Sequence, residues 1–476
     1  MNGELISLWR GRSAGPPSRR RGRTVARPAR GPGESAESAA RVPRVVVVGS
    51  GFAGFGVLQH LERRLPADAA DLTLISPIDH LLYTSLLPQV SAGGVEPRHV
   101  AVATRAALRR TTLLLGHVVD ADLPGRTVAI RRADGSRTTL GWDRLVLAPG
   151  AVTRTLDIPG LADHALGLKN LAEAVYLRDH VLRQLEQADA CADADRRRAR
   201  CTFVVVGAGY TGTELAAQMT RFTRRAVDAY PRLSPDDIRW ILLDLAPRVL
   251  PELPPALSTR AMDLLAARKV DVRLGTSVSD VAADRARLTN GDMIRTHTVV
   301  WCAGITPSPL ISTLGLPTSR GRLVVDSEFQ VPDADGVFAL GDAAAVPDST
   351  NDGRPASQTA QHAVREATGA ARAVAASLGH GTARPYRHRD LGFVVDLGGT
   401  AAVANPLGVT LSGLPAAALA RGYHLHALPG RTNTIRVAAD WLLDMIAPRQ
   451  IVQLGFLPPE KSSIDAAEQT DIYPTR

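Results

Sequence analysis

Two sets of glycines carry the clearest chemistry in this chain: Gly49, Gly51 and Gly54, then Gly207, Gly209 and Gly212. Both are spaced G-x-G-x-x-G, the first running through Phe52 and Ala53, the second through Tyr210 and Thr211. In this spacing the first glycine permits a tight turn, the second leaves room for a pyrophosphate, and the third lets a helix pack close to a strand. The helix N-terminus then points unpaired N–H groups at the phosphates. One such turn is a weak signal. Two, separated by enough chain for a whole domain, predict two dinucleotides held face to face.

The flanking residues supply the elements that must position these turns. Each turn follows a valine run, VVVV at Val45–Val48 and VVV at Val204–Val206, which suits a central parallel strand covered on both faces. Helices are expected over Phe55–Leu65 and from Thr211 to Tyr230. Second strands are expected at Asp71–Ser76 and Arg239–Asp244. An acid near the end of that second strand holds a ribose hydroxyl. The first copy has Ser76 there. The second has Asp244, whose charge favours a free 2′-hydroxyl and so NAD(H) over NADP(H), although the nearby Arg248 can accept an extra phosphate. Leu123–Ile130 and Arg137–Leu140 alternate around the turn Ala133-Asp134-Gly135 and read as a hairpin. Further buried strands are expected at Asp143–Gly150, Val270–Val272, Val299–Gly304 and Val337–Asp342. The last ends in Gly341-Asp342 before a small-residue helix start. Asp342 there either accepts from a ribitol hydroxyl or simply caps the helix. His80–Gly93, apolar with few charges, reads as core. The fold class expected is α/β, with two Rossmann-like dinucleotide-binding domains.

Composition narrows the partners. The net charge is +9, but residues 1–41 hold nine arginines and three glutamates, so most of the excess sits in one tail. The rest of the chain is ordinary in charge, and no nucleic-acid partner is expected. The tail is rich in Arg, Pro, Gly, Ser and Ala and should be disordered. It reads as an idle extension or as a patch attracted to anionic lipid. It carries no apolar stretch of secretory-signal type. No run of about 18 apolar residues predicts a membrane span. Three cysteines, Cys191, Cys201 and Cys302, form no C-x-x-C and no metal-ligand spacing, so no metal is expected. From about residue 385 the chain becomes apolar with scattered cations. Trp441, Leu442, Met445 and Ile446 fall at helical spacing. That stripe, with Arg436 and Arg449, fits either core packing or a helix lying in a bilayer surface.

Several segments together resemble a known family. They are VVVVGSGFAG, SPIDHLLYTSLLPQVSAG, APGA, LKNLAEAVYLRDHV, FVVVGAGYTGTELA, LLDLAPRVLPELP, VVWCAGITPSPL, VFALGDAAAV, TAQHAVREA and VAADWLLDMIAPRQIVQL. The layout resembles the FAD-dependent pyridine nucleotide-disulphide oxidoreductases of glutathione-reductase architecture, and within them the type II NADH:quinone oxidoreductases, which do not pump protons. The likeness runs from about Val42 to Leu457. Departures are Ser76 in place of a frequent acid, Ala148-Pro149-Gly150 where A-T-G is common, and Arg365 where a Gln is frequent.

The resemblance implies a disordered tail (1–41), an FAD-binding domain in two parts (42–165 and 301–384), an NAD(H)-binding domain (166–300) and a membrane-associating region (385–476). It implies FAD at the first turn, held by Gly49, Gly51, Phe52, Ala53, Gly54 and Gly150. Ser76 would lie near the adenosine ribose, and Gly341 and Asp342 on the ribityl–phosphate side. NADH would lie against Gly207, Gly209, Tyr210, Thr211, Gly212 and Gly304, with Asp244 at its ribose. Glu214, expected in the first turn of its helix, would lie near the nicotinamide or merely complement the helix dipole. Ala360 and Gln361 would mark the flavin end of a quinone path, and Gln361 can hydrogen-bond a quinone carbonyl. Lys169 and Glu366 recur in the family pattern without an assigned role. Residues 55–190 contain no cysteine, so a thiol relay beside the first turn is excluded and a membrane quinone is the acceptor that fits. The enzyme would lie on the cytoplasmic face of the plasma membrane as a peripheral protein, with a homodimer left open. Other readings are a soluble reductase of a ferredoxin- or rubredoxin-like carrier and a redox-sensing flavoprotein.

Overall fold

A computed structural model describes residues 41–447, 449–455, 462–464 and 466. The arginine-rich stretch before residue 41 lies outside them. The first valine run forms β1 (Arg44–Val48), with Val45, Val46 and Val47 wholly buried. The chain then makes α1 (Phe52–Arg64), β2 (Asp71–Ser76), β3 (Thr111–Asp122), β4 (Thr127–Arg132), β5 (Arg137–Gly141) and β6 (Arg144–Leu147). The capped helix α2 (Leu171–Ala190) leads to β7 (Thr202–Val206), α3 (Tyr210–Ala226), β8 (Arg239–Asp244), β9 (Val270–Leu274) and β10 (Val299–Trp301). Then come β11 (Val337–Ala339) and α4 (Ala360–Ser377). The last section holds β12 (Val394–Asp396), β13 (Ala402–Ala404), β14 (Leu411–Ser412), α5 (Leu414–Ala427) and α6 (Arg431–Ile446).

Two parallel sheets position the site. The first runs β11-β6-β1-β2-β3, parallel throughout, and continues through the antiparallel strands β4 and β5. The chain leaves β1 toward β2 on one side and returns through β6 on the other, so a crevice opens beyond the carboxyl end of β1. The second sheet runs β9-β8-β7-β10, all parallel, with the same reversal beside β7. In both, strands covered on two faces are almost purely apolar, which is why they were legible as valine runs. The strand β11 comes from far along the chain, yet it joins the edge of the first sheet.

Some boundaries differ from the sequence reading. Thr111–Asp122 is a strand that periodicity did not reveal, and Leu123–Arg126 is the turn that follows it. There Arg126 takes φ +50° and Gly125 donates to the Asp122 carboxylate. After β11 the expected helix is only a three-residue 3₁₀ turn, Gly341–Ala343, followed by a short strand. Asp342 therefore caps no helix. The second-copy helix ends at Ala226, where a 3₁₀ turn takes over. Helices α1 and α4 pack so closely that a Cβ on Gly56 would come within 2.8 Å of the Ala367 methyl carbon. The last section forms a small antiparallel sheet, β12-β13-β14, under α5, and α6 packs against α5 and the turn Pro97–Val100. Among the described residues no helix is long and apolar enough to cross a membrane.

Candidate functional site

Both glycine turns sit at the crevices the topology creates. Gly49 takes φ +100° and Gly207 φ +106°, a left-handed region that costs other residues strain. The Gly49 amide donates to the Ile75 carbonyl at 2.9 Å, and the Gly207 amide to Leu243 at 2.7 Å, so each turn is pinned across its strand pair. A Cβ on Gly54 would strike the Gly49 carbonyl, and one on Gly212 would strike the Gly207 carbonyl. Gly51 and Gly209 differ: a Cβ on either meets nothing within 4 Å. These are open cradles at the N-termini of α1 and α3, where neither cap residue has a side chain to satisfy the free amides. The arrangement fits two pyrophosphates, and so fits the FAD and NADH that the sequence implied.

The residues named for the first cradle converge. Phe52 and Ala53 begin α1, and a Cβ on Gly341 would come within 2.9 Å of the Ala53 methyl. Gly341 donates its amide to Glu366 Oε2 on α4 at 2.7 Å. Burial pushes the Glu366 acid up to about 7, and burial also raises Asp342. Gly150 follows β6 with φ +74° and open space around it. Ser76 ends β2, where the sequence put it, but its hydroxyl is engaged within the protein. It is buried and donates to Ser50 Oγ at 2.8 Å, which donates on to the His80 carbonyl. It braces the turn from beneath and presents no free hydroxyl to a ribose.

In the second cradle, Tyr210 and Thr211 open α3 and Gly304 follows β10 with φ +111°. Asp244 ends β8, where its carboxylate accepts from the Ala208 amide at 2.5 Å and from Ala246 at 2.7 Å. The acid is thus fixed beside the turn. Arg248 is engaged elsewhere, donating to the Pro251 carbonyl. Helix α3 starts at Tyr210, which puts Glu214 in its second turn rather than its first. Glu214 is half-buried, and burial raises its acid well above the usual range. Its Oε1 accepts from the Asp396 amide at 2.8 Å.

Ala360 and Gln361 begin α4 behind the Thr359 cap, on the helix whose Glu366 holds Gly341. With its amide oriented to suit its neighbours, Gln361 Oε1 accepts from both terminal nitrogens of Arg365, at 2.8 and 2.9 Å. The departure at 365 therefore puts a guanidinium directly on Gln361. Lys169 lies near enough to Asp342 for its charge to favour the carboxylate, against the burial that raises the acid's pKa.

A polar network that the sequence did not reveal joins α3 to the last helix. Asp396, 4% exposed on β12, accepts from Gln89 Nε2 at 2.9 Å and from the Gly398 amide at 2.7 Å. Gln89 Oε1 in turn accepts from Trp441 Nε1 at 2.6 Å. Trp441 is therefore core, as is Val437. Leu442, Met445 and Ile446 are 55–74% exposed, so the stripe read from sequence divides between two environments. Ile435, Leu443, Leu407 and Leu414 add to this exposed apolar surface. Arg436 is exposed, whereas Arg449 is turned inward, paired with Asp444 and donating to the Ala92 carbonyl. No signal in the sequence marked Asp396 or Gln89.

Paired crevices of this kind define a two-nucleotide oxidoreductase fold. The description of the pyridine nucleotide-disulphide oxidoreductases matches residues 43–367. The chain is 31% identical to the type II NADH:quinone oxidoreductase Ndh of Mycobacterium tuberculosis, over 88% of this chain and 91% of that one. It is 29% identical to the demethylphylloquinone reductase NdbB of Synechocystis, over 84% and 96%. The fold matches that of NDH2 from Plasmodium falciparum, solved in complex with NADH, with a TM-score of 0.80 at 18% identity, covering 87% of this chain and all of that one. The chain belongs to the pyridine nucleotide-disulphide oxidoreductase family and, within it, to the type II NADH:quinone oxidoreductases.

Proposed function

We propose that this protein oxidises NADH and passes two electrons through FAD to a membrane quinone, without pumping protons. The observation that carries the reading is the pair of open cradles, at Gly51 and Gly209, each at the reversal point of its own parallel sheet. Bound FAD supplies the redox chemistry, accepting a hydride equivalent from NADH and releasing two electrons to the acceptor. The chain's own residues bind, orient and exclude water. Free amides at the start of α1 receive the FAD pyrophosphate, and those at the start of α3 the NADH pyrophosphate. Glu366 fixes Gly341, so that the 341–343 turn closes over the first cradle with Asp342 on the ribityl side. Asp244 lies at the NADH ribose, where its charge opposes a 2′-phosphate. Phe52, at the start of α1, meets Tyr83 edge-on at 5.6 Å, an aromatic contact that fixes one side of the first cradle. Gln361, held by Arg365, lies on the acceptor side.

The exposed apolar residues of α5 and α6 support seating on a lipid surface, which brings a lipid-soluble acceptor to the flavin. The cytoplasmic face is the side on which NADH is supplied. Steady-state assays test the acceptor. NADH oxidation should be fast with a short-chain quinone and slow with an acidic iron–sulphur protein. The reverse order would refute a quinone acceptor and favour a soluble electron-carrier reductase.

A further inference from the structure

Glu214 and Asp396 are two carboxyls in one desolvated region, and neither has a cation on it. Asp396 donates its backbone amide to Glu214 Oε1 at 2.8 Å. Among the described residues no lysine or arginine bonds either carboxylate. Arg268 donates instead to the carbonyls of Leu397, Gly398 and Ala217, and Arg421 to that of Gly399. That backbone contact brings the Asp396 side chain near enough for its charge to act on Glu214, and two carboxylates that interact in a low-dielectric region repel, so such a pair retains a proton. We propose that Asp396 is a positioning residue for Glu214: the pair holds one proton at neutral pH, and that proton resides on Glu214.

The hydrogen bonds decide which partner carries it. The Asp396 carboxylate accepts two N–H donors, from Gln89 and Gly398, whereas Glu214 accepts one, from Asp396 itself. Arg221, Arg268 and Arg421 surround Asp396 at longer range and favour its charged form, against the burial that raises it. The groups facing Glu214 add no positive charge. Tyr83 and Tyr210 are kept neutral by burial, and Tyr83 bonds His424, which burial lowers to about 4. Asp396 thus stays ionised and imposes a negative potential on Glu214, which keeps its proton.

A neutral Glu214 has a consequence for turnover. Oxidising NADH creates a positive charge on the nicotinamide. An ionised Glu214 would hold that product, and a protonated one does not. This consequence rests on the reading that Glu214 lies on the nicotinamide side, but the primary test does not. That test is infrared titration of the flavin-loaded full chain with no NADH or quinone present. Above the Glu366 transition near pH 7, one protonated-carboxyl C=O component should persist, and it should be lost in Glu214→Gln. In Asp396→Asn its midpoint should fall by about one pH unit, as removal of a neighbouring charge requires. Asp396→Thr, smaller and still an acceptor for Gln89, gives the same reading should the asparagine variant not fold, and Asp396→Glu should restore the original midpoint. NAD⁺ inhibition at pH 7 should tighten by about threefold or more in the neutral variants. A midpoint unmoved in both neutral variants, or no such band in the unaltered protein, would overturn the proposal.

Discussion

Substitution at Gly51 separates ligand binding from folding. Gly51 has φ −69° and ψ −175°, an extended conformation open to any residue, and a Cβ there meets no protein atom within 4 Å. Gly51→Ala should therefore leave the stability of the flavin-free chain within about 0.5 kcal/mol of the unaltered protein. The added methyl occupies the space that the FAD pyrophosphate needs. Displacing the phosphates from two free amides at the start of α1 forfeits two charge-assisted hydrogen bonds, each worth about 1.5–3 kcal/mol. Flavin affinity should then fall by about 10²- to 10⁴-fold. Gly54→Ala is the contrast. Its Cβ collides with the Gly49 carbonyl, so the turn must distort and the chain itself should be destabilised by a few kcal/mol, about 1–3. The assay strips the flavin, records thermal unfolding of the bare chain, and titrates FAD back by quenching of its fluorescence. Flavin affinity within threefold of normal in Gly51→Ala would show that the pyrophosphate lies elsewhere.

Three further outcomes follow from the same geometry. Asp244→Arg should shift the kcat/KM preference from NADH toward NADPH by at least about tenfold, and an unaltered preference would remove Asp244 from the ribose site. Glutamates at Leu442, Met445 and Ile446 together should release the protein from anionic vesicles in flotation assays while flavin reduction by NADH is retained. Each exposed side chain is worth about 1–2 kcal/mol of insertion, so continued binding would refute a lipid role for α6. Glu366 is raised to about 7 in the fold against about 4.5 unfolded, so the native state binds the extra proton. Stability from this group is full below pH 4 to 5 and is lost as pH rises to about 7, by about 3 kcal/mol at most. Glu366→Gln should flatten that part of the denaturant midpoint–pH curve, and an identical curve would show that the acid is not held protonated.

The cradles were readable because their physics is local. A glycine spacing, a preceding valine run and a following helix occupy one short stretch, and Asp244 ends a strand one unit later. The same rule found Ser76 at the end of β2 but not its bond to Ser50, because that bond joins two elements of the fold rather than neighbours in sequence. It also put Glu214 a turn too early, because the helix starts at Tyr210. The Glu214–Asp396–Gln89 network was out of reach. Its bonds join residues 182 and 307 positions apart, with no periodicity or motif at either end. The α6 stripe was read as one environment because spacing reports a helix face, whereas the division between buried Trp441 and exposed Met445 depends on where Gln89 lies. The strand Thr111–Asp122 escaped notice because only part of one face is buried.

The central claim, that one electron pair enters from a nucleotide in the second cradle and leaves from a flavin in the first to a quinone, is tested most directly without oxygen. The purified yellow protein is mixed with one equivalent of NADH in a stopped-flow cell, then with a soluble quinone analogue. The account predicts that the flavin absorbance bleaches fully on the first mixing and returns on the second, with one quinol formed per NADH. A chain that carries no flavin, or a bleached flavin that the quinone leaves reduced, would contradict it.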